Sequence, residues 1–421
     1  MTDVRTARLR AGGAQAIALT LRPDLDEEGV AGSVAASLAA VRARGDDALI
    51  DDVRRFDLEE FTHDRLRVPR VALERAVDAL PEELRTAIVA AASQVRVVAE
   101  ALLPGDHTMT MPFGQRIRVR HVPVDSAGCY APGGRAAYPS SLIMGVVPAQ
   151  VAGVGRIVAV SPPGPDGRPS PLVMATAGLL GVDEVYAAGG AAAIAALAYG
   201  TATIAPVAVI VGPGSPWVQE AKRQLVGTVG IDGVAGPSEV LIIADATADP
   251  AAMALDLLAQ AEHGPDSPAV LASDDPEVIA AVAEALDGMP EAIGPITLVE
   301  CASMPLAIEL AEAFAPEHLE IATRDPEAVA SRITRSGAVF IGPNCATAFG
   351  DYVAGSNHVL PTGGAARHAS ALGPTTFLRR MSVVEMTDEA VAQLAPHLAV
   401  LAEAEGFPMH RASADARVKD A

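Results

Sequence analysis

Four short stretches carry side chains that could do chemistry. Gln260 and His263 stand three residues apart in Gln260-Ala-Glu-His263, just ahead of Gly264-Pro265. On a helix this spacing puts an amide and an imidazole on one face, and together they can share a divalent metal, although glutamine is an uncommon ligand. The same histidine equally suits the last carbonyls of the helix and its dipole. Pro316-Glu317-His318-Leu319-Glu320 enters a strand. Adjacent Glu317 and His318 can act as a water-activating base and a proton acceptor if burial tunes them toward neutrality; on a loop edge they would simply be solvated. Gly350-Asp351-Tyr352-Val353-Ala354-Gly355-Ser356-Asn357-His358, continuing to Gly364, looks too irregular for a helix or strand interior. A polar loop this rich in glycine brings Asp351 and His358 close to a ligand, or else is a surface turn. Glu405 and His410 follow a C-terminal helical stretch, where a histidine is ordinarily exposed. The other histidines (His63, His107, His121, His368 and His397) read as surface or structural residues.

Glycine turns form a second set: Gly128 to Gly134, Ala188-Gly189-Gly190, Val211-Gly212-Pro213-Gly214 and Ala235-Gly236-Pro237-Ser238-Glu239. Two of them follow β-runs and precede helices, where backbone N–H groups and a helix N-terminus suit a pyrophosphate. No GxGxxG fingerprint occurs, so the bare pattern supports a dinucleotide only weakly.

The elements that must hold these residues come from a chain of 421 residues, which at roughly 150 residues per domain suggests two or three domains. Half of it is apolar and only 3% aromatic, the composition of a parallel α/β core built from small and branched side chains. Fifty-two acidic residues against 31 basic ones leave a net charge of −21, which argues against nucleic acid and anionic membranes as partners. Lys222 and Lys419 are the only lysines. Cys129, Cys301 and Cys345 form no CxxC pair, so neither a disulfide scaffold nor a thiolate zinc cage is expected, and the cytoplasm is the expected location. Two uncharged windows, Ala136 to Gly155 and Tyr186 to Trp217, are broken by glycine and proline and read as buried strand–helix pairs rather than membrane spans. The N-terminus shows Asp3 and scattered arginines but no apolar run before a cleavage site, unlike a signal peptide.

From about residue 155, β-branched runs alternate with helical stretches. The runs are Arg156–Val160, Glu184–Ala188, Val207–Val211, Val240–Ala244, Ala269–Ala272, Ile296–Val299, His318–Ala322 and Ala338–Ile341. Leu172–Leu180 and Asp249–Glu262 are examples of the helices between them. This alternation predicts parallel sheets with helices on their faces. Ser33–Arg44 and Val71–Leu103 read as amphipathic helix and Gln115–Val124 as strand. Thr387 is placed to cap a tail helix running to Glu405, with Pro396 inside it and Gly406 as its stop.

Taken together, the motifs resemble histidinol dehydrogenase over almost the whole chain from about residue 30. The most specific stretches are Tyr130–Gly134, Gly230–Glu239 (GIDGVAGPSE), Gln260–Gly264, Glu317–Glu320 and Gly350–Gly364. The resemblance implies oxidation of L-histidinol to L-histidine in two NAD-dependent steps through a held aldehyde, with one zinc per site. It implies zinc on Gln260, His263, Asp351 and His410, and the acid–base pair at Glu317 and His318. Substrate contacts would come from Ser238, His358 and Glu405 beside Gln260, His263, His318, Asp351 and His410, and a cofactor contact from Tyr130. It further implies an α/β fold of two incomplete Rossmann-like domains with small terminal helical pieces, in a domain-intertwined homodimer whose tail, with His410, completes the partner's site. The boundaries expected are 1–24 for an N-terminal arm, 25–124 with 239–371 for the first domain, 125–238 for the second, NAD-side domain and 372–421 for the tail. Two positions depart from the family: Ala192 stands where it has Gln in GGAQAI, and Ser215 where it has Asn after the GPG turn, both on the cofactor side. Two other readings remain: a paralogue oxidising another small alcohol such as a sulfonated diol, and a zinc hydrolase or metal-binding protein without dehydrogenase activity.

Overall fold

The computed structural model describes residues 4–23, 28–133 and 137–418. Asp3, Gly134, Ala136 and Lys419, named above, lie outside the described residues. Two parallel sheets dominate. One has six strands in the order Val4–Leu9, Ile296–Cys301, Ala269–Ser273, Val240–Ala244, His318–Ala322, Ala338–Ile341. The other has five, in the order Glu184–Ala187, Arg156–Ser161, Ser126–Tyr130, Val209–Val211, Gly230–Ile231. The runs that read as strands are strands, most within two residues of the expected ends. The central ones, such as Val240–Ala244 and His318–Ala322, are buried from end to end because helices cover both faces.

Five strands carried no clear sequence signal, two of them the short His107–Thr110 and Gly230–Ile231. Val4–Leu9 alternates its apolar residues with arginine and threonine and pairs parallel with Ile296–Cys301 at the sheet edge. Ser126–Tyr130 (SAGCY) is all small until its last residue. Gly128 lets Leu197 pack closely there, because a Cβ would lie 3.0 Å from that side chain. Leu378–Glu385 joins Arg116–Pro123 and His107–Thr110 in a separate antiparallel sheet of three.

The uncharged windows fold as buried elements. One contains the helix Pro139–Ala152; the other contains Gly190–Tyr199 between two strands. No helix among the described residues is long and apolar enough to cross a membrane. The helices of the region 28–101 were grouped from sequence with 239–371, yet they bury their apolar faces on the five-stranded side. Val34, Leu38 and Val41 of Glu28–Arg44 share a cluster with Ala191, Ile194 and Leu197, while Ile88 and Val95 pack on Ile143 and Val147. At the far end Thr387 caps the helix Asp388–Ala404 by accepting from the Ala390 N–H at 3.1 Å; Pro396 lies inside it, and Gly406 leaves it at φ +76°.

Strand order decides where a ligand can go. In the five-stranded sheet the order reverses between Ser126–Tyr130 and Val209–Val211, so the ligand crevice expected of such sheets falls at their carboxyl ends, beside Tyr130 and Gly212. In the six-stranded sheet the corresponding reversal lies between Val240–Ala244 and His318–Ala322. The segment 232–239 leaves the carboxyl end of one sheet and enters the amino end of the other, so the two edges face one connection.

Candidate active site

The side chains of interest gather at the amino edge of the six-stranded sheet. His318 begins its strand, in register with Val240 across the reversal point. Gln260 lies in the last turn of the helix Pro250–Ala261, which returns from the carboxyl edge and therefore ends at the amino edge. His263 follows in the turn beyond and is exposed, whereas Gln260 is buried. Asp351 departs from the sequence expectation of an irregular loop: it sits in a short helix, Thr347–Tyr352. Gly350 makes that helix possible, because a Cβ there would lie 2.5 Å from the Phe340 ring. Phe340 in turn packs against the His318 ring, centroids 5.8 Å apart. The glycine that argued against a helix is what lets this one settle against the sheet and bring its aspartate to His318.

His318 stands between two carboxylates. Its Nδ1 is 3.5 Å from Glu317 Oε2 and its Nε2 is 3.4 Å from Asp351 Oδ1. Neither contact has the geometry of a hydrogen bond, so both ring nitrogens are buried without a partner. A buried imidazole in that state is open to exchange a proton with a substrate, a water or a flanking carboxylate. Burial alone opposes a charged His318, but the facing Glu317 and Asp351 carboxylates outweigh it and raise the imidazole above its usual range. Burial raises the Glu317 carboxyl despite the N–H that Glu239 donates to its Oε2 at 2.9 Å. Burial would raise Asp351 as well, yet His318, His358 and His263 around it bring it below the usual carboxylate range. Burial lowers His358. Its Nδ1 lies 2.7 Å from the Asp351 carbonyl oxygen, so Nδ1–H donates there and Nε2 keeps its lone pair.

A lower tier supports this one, and sequence reading passed over most of it. Glu320 is hydrogen-bonded to Asp256 and accepts from Thr347 Oγ1 at 3.4 Å. These three residues are each one structural repeat below a site residue: Asp256 four before Gln260 on a helix, Glu320 two after His318 on a strand, Thr347 four before Asp351 on a helix. Burial beside the Asp256 carboxylate pushes Glu320 up to about 9, so at neutral pH Glu320 holds a proton and donates it to Asp256. The available signal was periodicity, since Asp256 and Thr347 recur at the helical repeat from residues already singled out.

The donors at the upper tier fit a metal in part. Gln260 Nε2 donates to Ser238 Oγ at 3.1 Å, which leaves Oε1 open. His263 Nδ1 lies 3.2 Å from the Gln260 carbonyl, which leaves Nε2 open. With the Asp351 carboxylate this makes three N/O donors. Among the described residues no three His, Cys, Asp or Glu side chains cluster as a metal cage, so His263 and Asp351 would depend on the Gln260 amide for a third donor. Glu405 and His410 are not brought to this cluster in the chain. Glu405 ends the tail helix, and His410 lies exposed in a further helix, Pro408–Asp415, its ring 5.2 Å from that of Phe407.

The cofactor-side residues divide. Tyr130 is buried at its strand end, its hydroxyl accepting the Gly190 N–H at 3.3 Å, and burial pushes its phenol up to about 12. Ser215 is exposed at the start of the helix Pro216–Gln224, and its hydroxyl makes no capping bond. Ala192, expected on the cofactor side, is 0% exposed and shares a core cluster with Val158 and Ile194.

Comparison with known proteins accounts for this arrangement. The histidinol dehydrogenase family profile matches residues 20–418. The chain belongs to the histidinol dehydrogenase family. It is 45% identical over 407 residues to the histidinol dehydrogenase of Ruegeria pomeroyi, covering 94% of this chain and 93% of the relative. It is 46% identical over 394 residues to that of a Synechococcus strain, covering 90% of each. The crystal structure of histidinol dehydrogenase from Elizabethkingia anophelis superposes with a TM-score of 0.93 at 31% identity over 98% of both chains. The protein is thus an α/β oxidoreductase of histidine biosynthesis, and the readings as a hydrolase or an inert metal binder are not favoured.

Proposed function

We propose that this member of the family oxidises L-histidinol to L-histidine in two hydride transfers at the Glu317–His318 edge, with Gln260, His263 and Asp351 holding a zinc ion. Zinc would supply an anchor for the substrate's amine and imidazole, and NAD would supply the hydride acceptor. His318, with no hydrogen-bond partner at either nitrogen, takes the hydroxyl proton in the first step, and the neighbouring carboxylates stabilise the resulting imidazolium. Glu317, held by the Glu239 N–H and raised by burial, activates water to hydrate the aldehyde before the second oxidation. Ser238 and His358 orient the substrate from either side: Ser238 is tied to Gln260, and His358 presents Nε2 as an acceptor.

Residues 125–238 form the cofactor half, with Tyr130 and Ser215 facing NAD; residues 239–371 form the catalytic half. The enzyme works as a homodimer in which Glu405 and His410 of the tail reach the partner's site, and it resides in the cytoplasm. Three observations support the dimer. Among the described residues no three His, Cys, Asp or Glu side chains gather at one point; His410 is exposed; and the tail bears uncovered apolar side chains, among them Val400, Leu401, Phe407 and Met409.

One observation carries this reading: an unpartnered, buried imidazole between two carboxylates beside an amide and a second imidazole. The test is NADH formation with histidinol, NAD and zinc. Two NADH per histidinol support it; one NADH indicates simple alcohol oxidation, and none rejects the assignment.

A further inference from the structure

One buried cation takes no part in the chemistry above. Lys222, in the helix Pro216–Gln224, is 1% exposed, in a chain that otherwise uses arginine almost throughout. Its Nζ donates to the Gly212 carbonyl at 3.0 Å and forms an ion pair with Asp232, whose side chain is 4% exposed. The other carboxylate oxygen of Asp232 accepts the Gly212 N–H at 2.7 Å, so the ammonium and the carboxylate together grip both peptide groups of one glycine. The Asp232 oxygen facing Lys222 also accepts the Gly233 N–H at 2.9 Å.

Gly212 needs such a grip. It has φ +120°, and a Cβ would stand 2.2 Å from the Tyr130 carbonyl oxygen. Its backbone therefore touches the strand end across the reversal point, where the crevice for the cofactor is expected. A compact ammonium with three donors suits these convergent acceptors. Gln219, one turn earlier on the helix, accepts the Ala235 N–H at 2.9 Å and steadies the same connection.

We propose that Lys222 is a positioning residue for the cofactor, fixing with Asp232 the Gly212–Gly214 turn against Tyr130 in the shape that receives NAD. The inference rests on the proposed placement of NAD at this crevice. The substrate end of the connection has its own ties: Thr362 to the Gly236 N–H, Gln260 to Ser238, and Glu317 to the Glu239 N–H. Loss of Lys222 should therefore weaken NAD binding and leave histidinol binding nearly intact.

Trp217 is the chain's only tryptophan and lies on the same helix two residues after Ser215, its indole N–H donating to Ser33 Oγ at 3.2 Å, and its fluorescence serves as the probe for NAD binding. In the zinc-loaded full-length protein, Lys222→Met and Asp232→Ala should raise the NAD dissociation constant and KM by about tenfold or more, with the histidinol KM moving less than about twofold. Asp232→Asn keeps an acceptor oxygen and should recover part of the loss. Folded variants with wild-type NAD affinity would overturn the role. If a variant fails to fold, amide exchange of the unaltered protein decides. A Gly212 N–H that exchanges without NAD as slowly as those of Val209–Val211 supports a pre-set turn, and exchange at the rate of an exposed loop overturns it. Absence of NAD binding by the wild type would sink both the functional reading and this one; unchanged variants of an active wild type sink this one alone.

Discussion

The two halves meet at one connection yet use opposite edges of their sheets. The six-stranded half works at its amino edge and does so with side chains. His318 opens a strand, Gln260 closes a helix, Asp351 ends another, and each rests on a lower residue one repeat away. The five-stranded half works at its carboxyl edge and does so mostly with backbone: Gly212 and Gly190 at positive φ, Tyr130 buried, and Ala192 without surface. Proton transfer needs groups whose charge can change, whereas a cofactor's phosphates and ring need close approach and fixed dipoles. Damage to the first half should stop the chemistry; damage to the second should loosen the cofactor.

The largest effect is expected at His318. His318→Asn should slow the first oxidation by about 10²- to 10⁴-fold while NAD affinity, read by Trp217 fluorescence, stays at the wild-type value. A parallel loss of NAD binding would break the separation of the halves. Gly212→Ala comes next. Its Cβ has no room beside the Tyr130 carbonyl, so it should destabilise the fold by more than about 1 kcal/mol and raise the NAD KM, with zinc content by metal analysis unchanged.

A smaller effect belongs to the lower tier. Glu320 keeps its proton up to about 9 in the folded chain but ionises near the ordinary carboxylate range when unfolded, so the folded state binds the extra proton between those limits. Stability from this group is complete below the unfolded value and is lost as pH rises through the folded one, at no more than about 1.4 kcal/mol per pH unit. Glu320→Gln keeps a donor for Asp256 without the titration. Its urea midpoint relative to wild type should therefore rise between pH 6 and pH 9; a constant difference would contradict the shared proton. The smallest effects test the two departures from the family. Ser215→Asn, exposed at its helix start, should lower the NAD KM a few-fold. Ala192→Gln should instead cost about 1–3 kcal/mol of stability, because the side chain has no space.

The asymmetry also explains what the sequence made legible. Glu317, His318, Gln260 and His263 could be singled out because their residue types announce chemistry and their spacing fixes a face. Strands such as Val240–Ala244 and His318–Ala322 were legible to the residue because buried parallel strands are runs of branched apolar side chains. Ser126–Tyr130 was not, since its identity as a strand comes from what packs on it rather than from β-propensity. Asp351 was placed in a loop because glycine weighs against a helix locally; the Phe340 ring beneath Gly350, far away in sequence, decides otherwise. Lys222 gave no sign of its partners because Gly212 and Asp232 belong to separate strand ends. The packing of the helices within 28–101 on the cofactor half is likewise a tertiary choice that amphipathic periodicity leaves open.

The division of labour between Glu317 and His318 is tested most directly by counting NADH released per histidinol by Glu317→Gln under zinc- and NAD-saturated conditions. With His318 intact the first oxidation should proceed and the second should stall, giving close to one NADH where the wild type gives two. A full count of two at the wild-type rate would contradict the role given to Glu317 and, with it, the account of the catalytic edge.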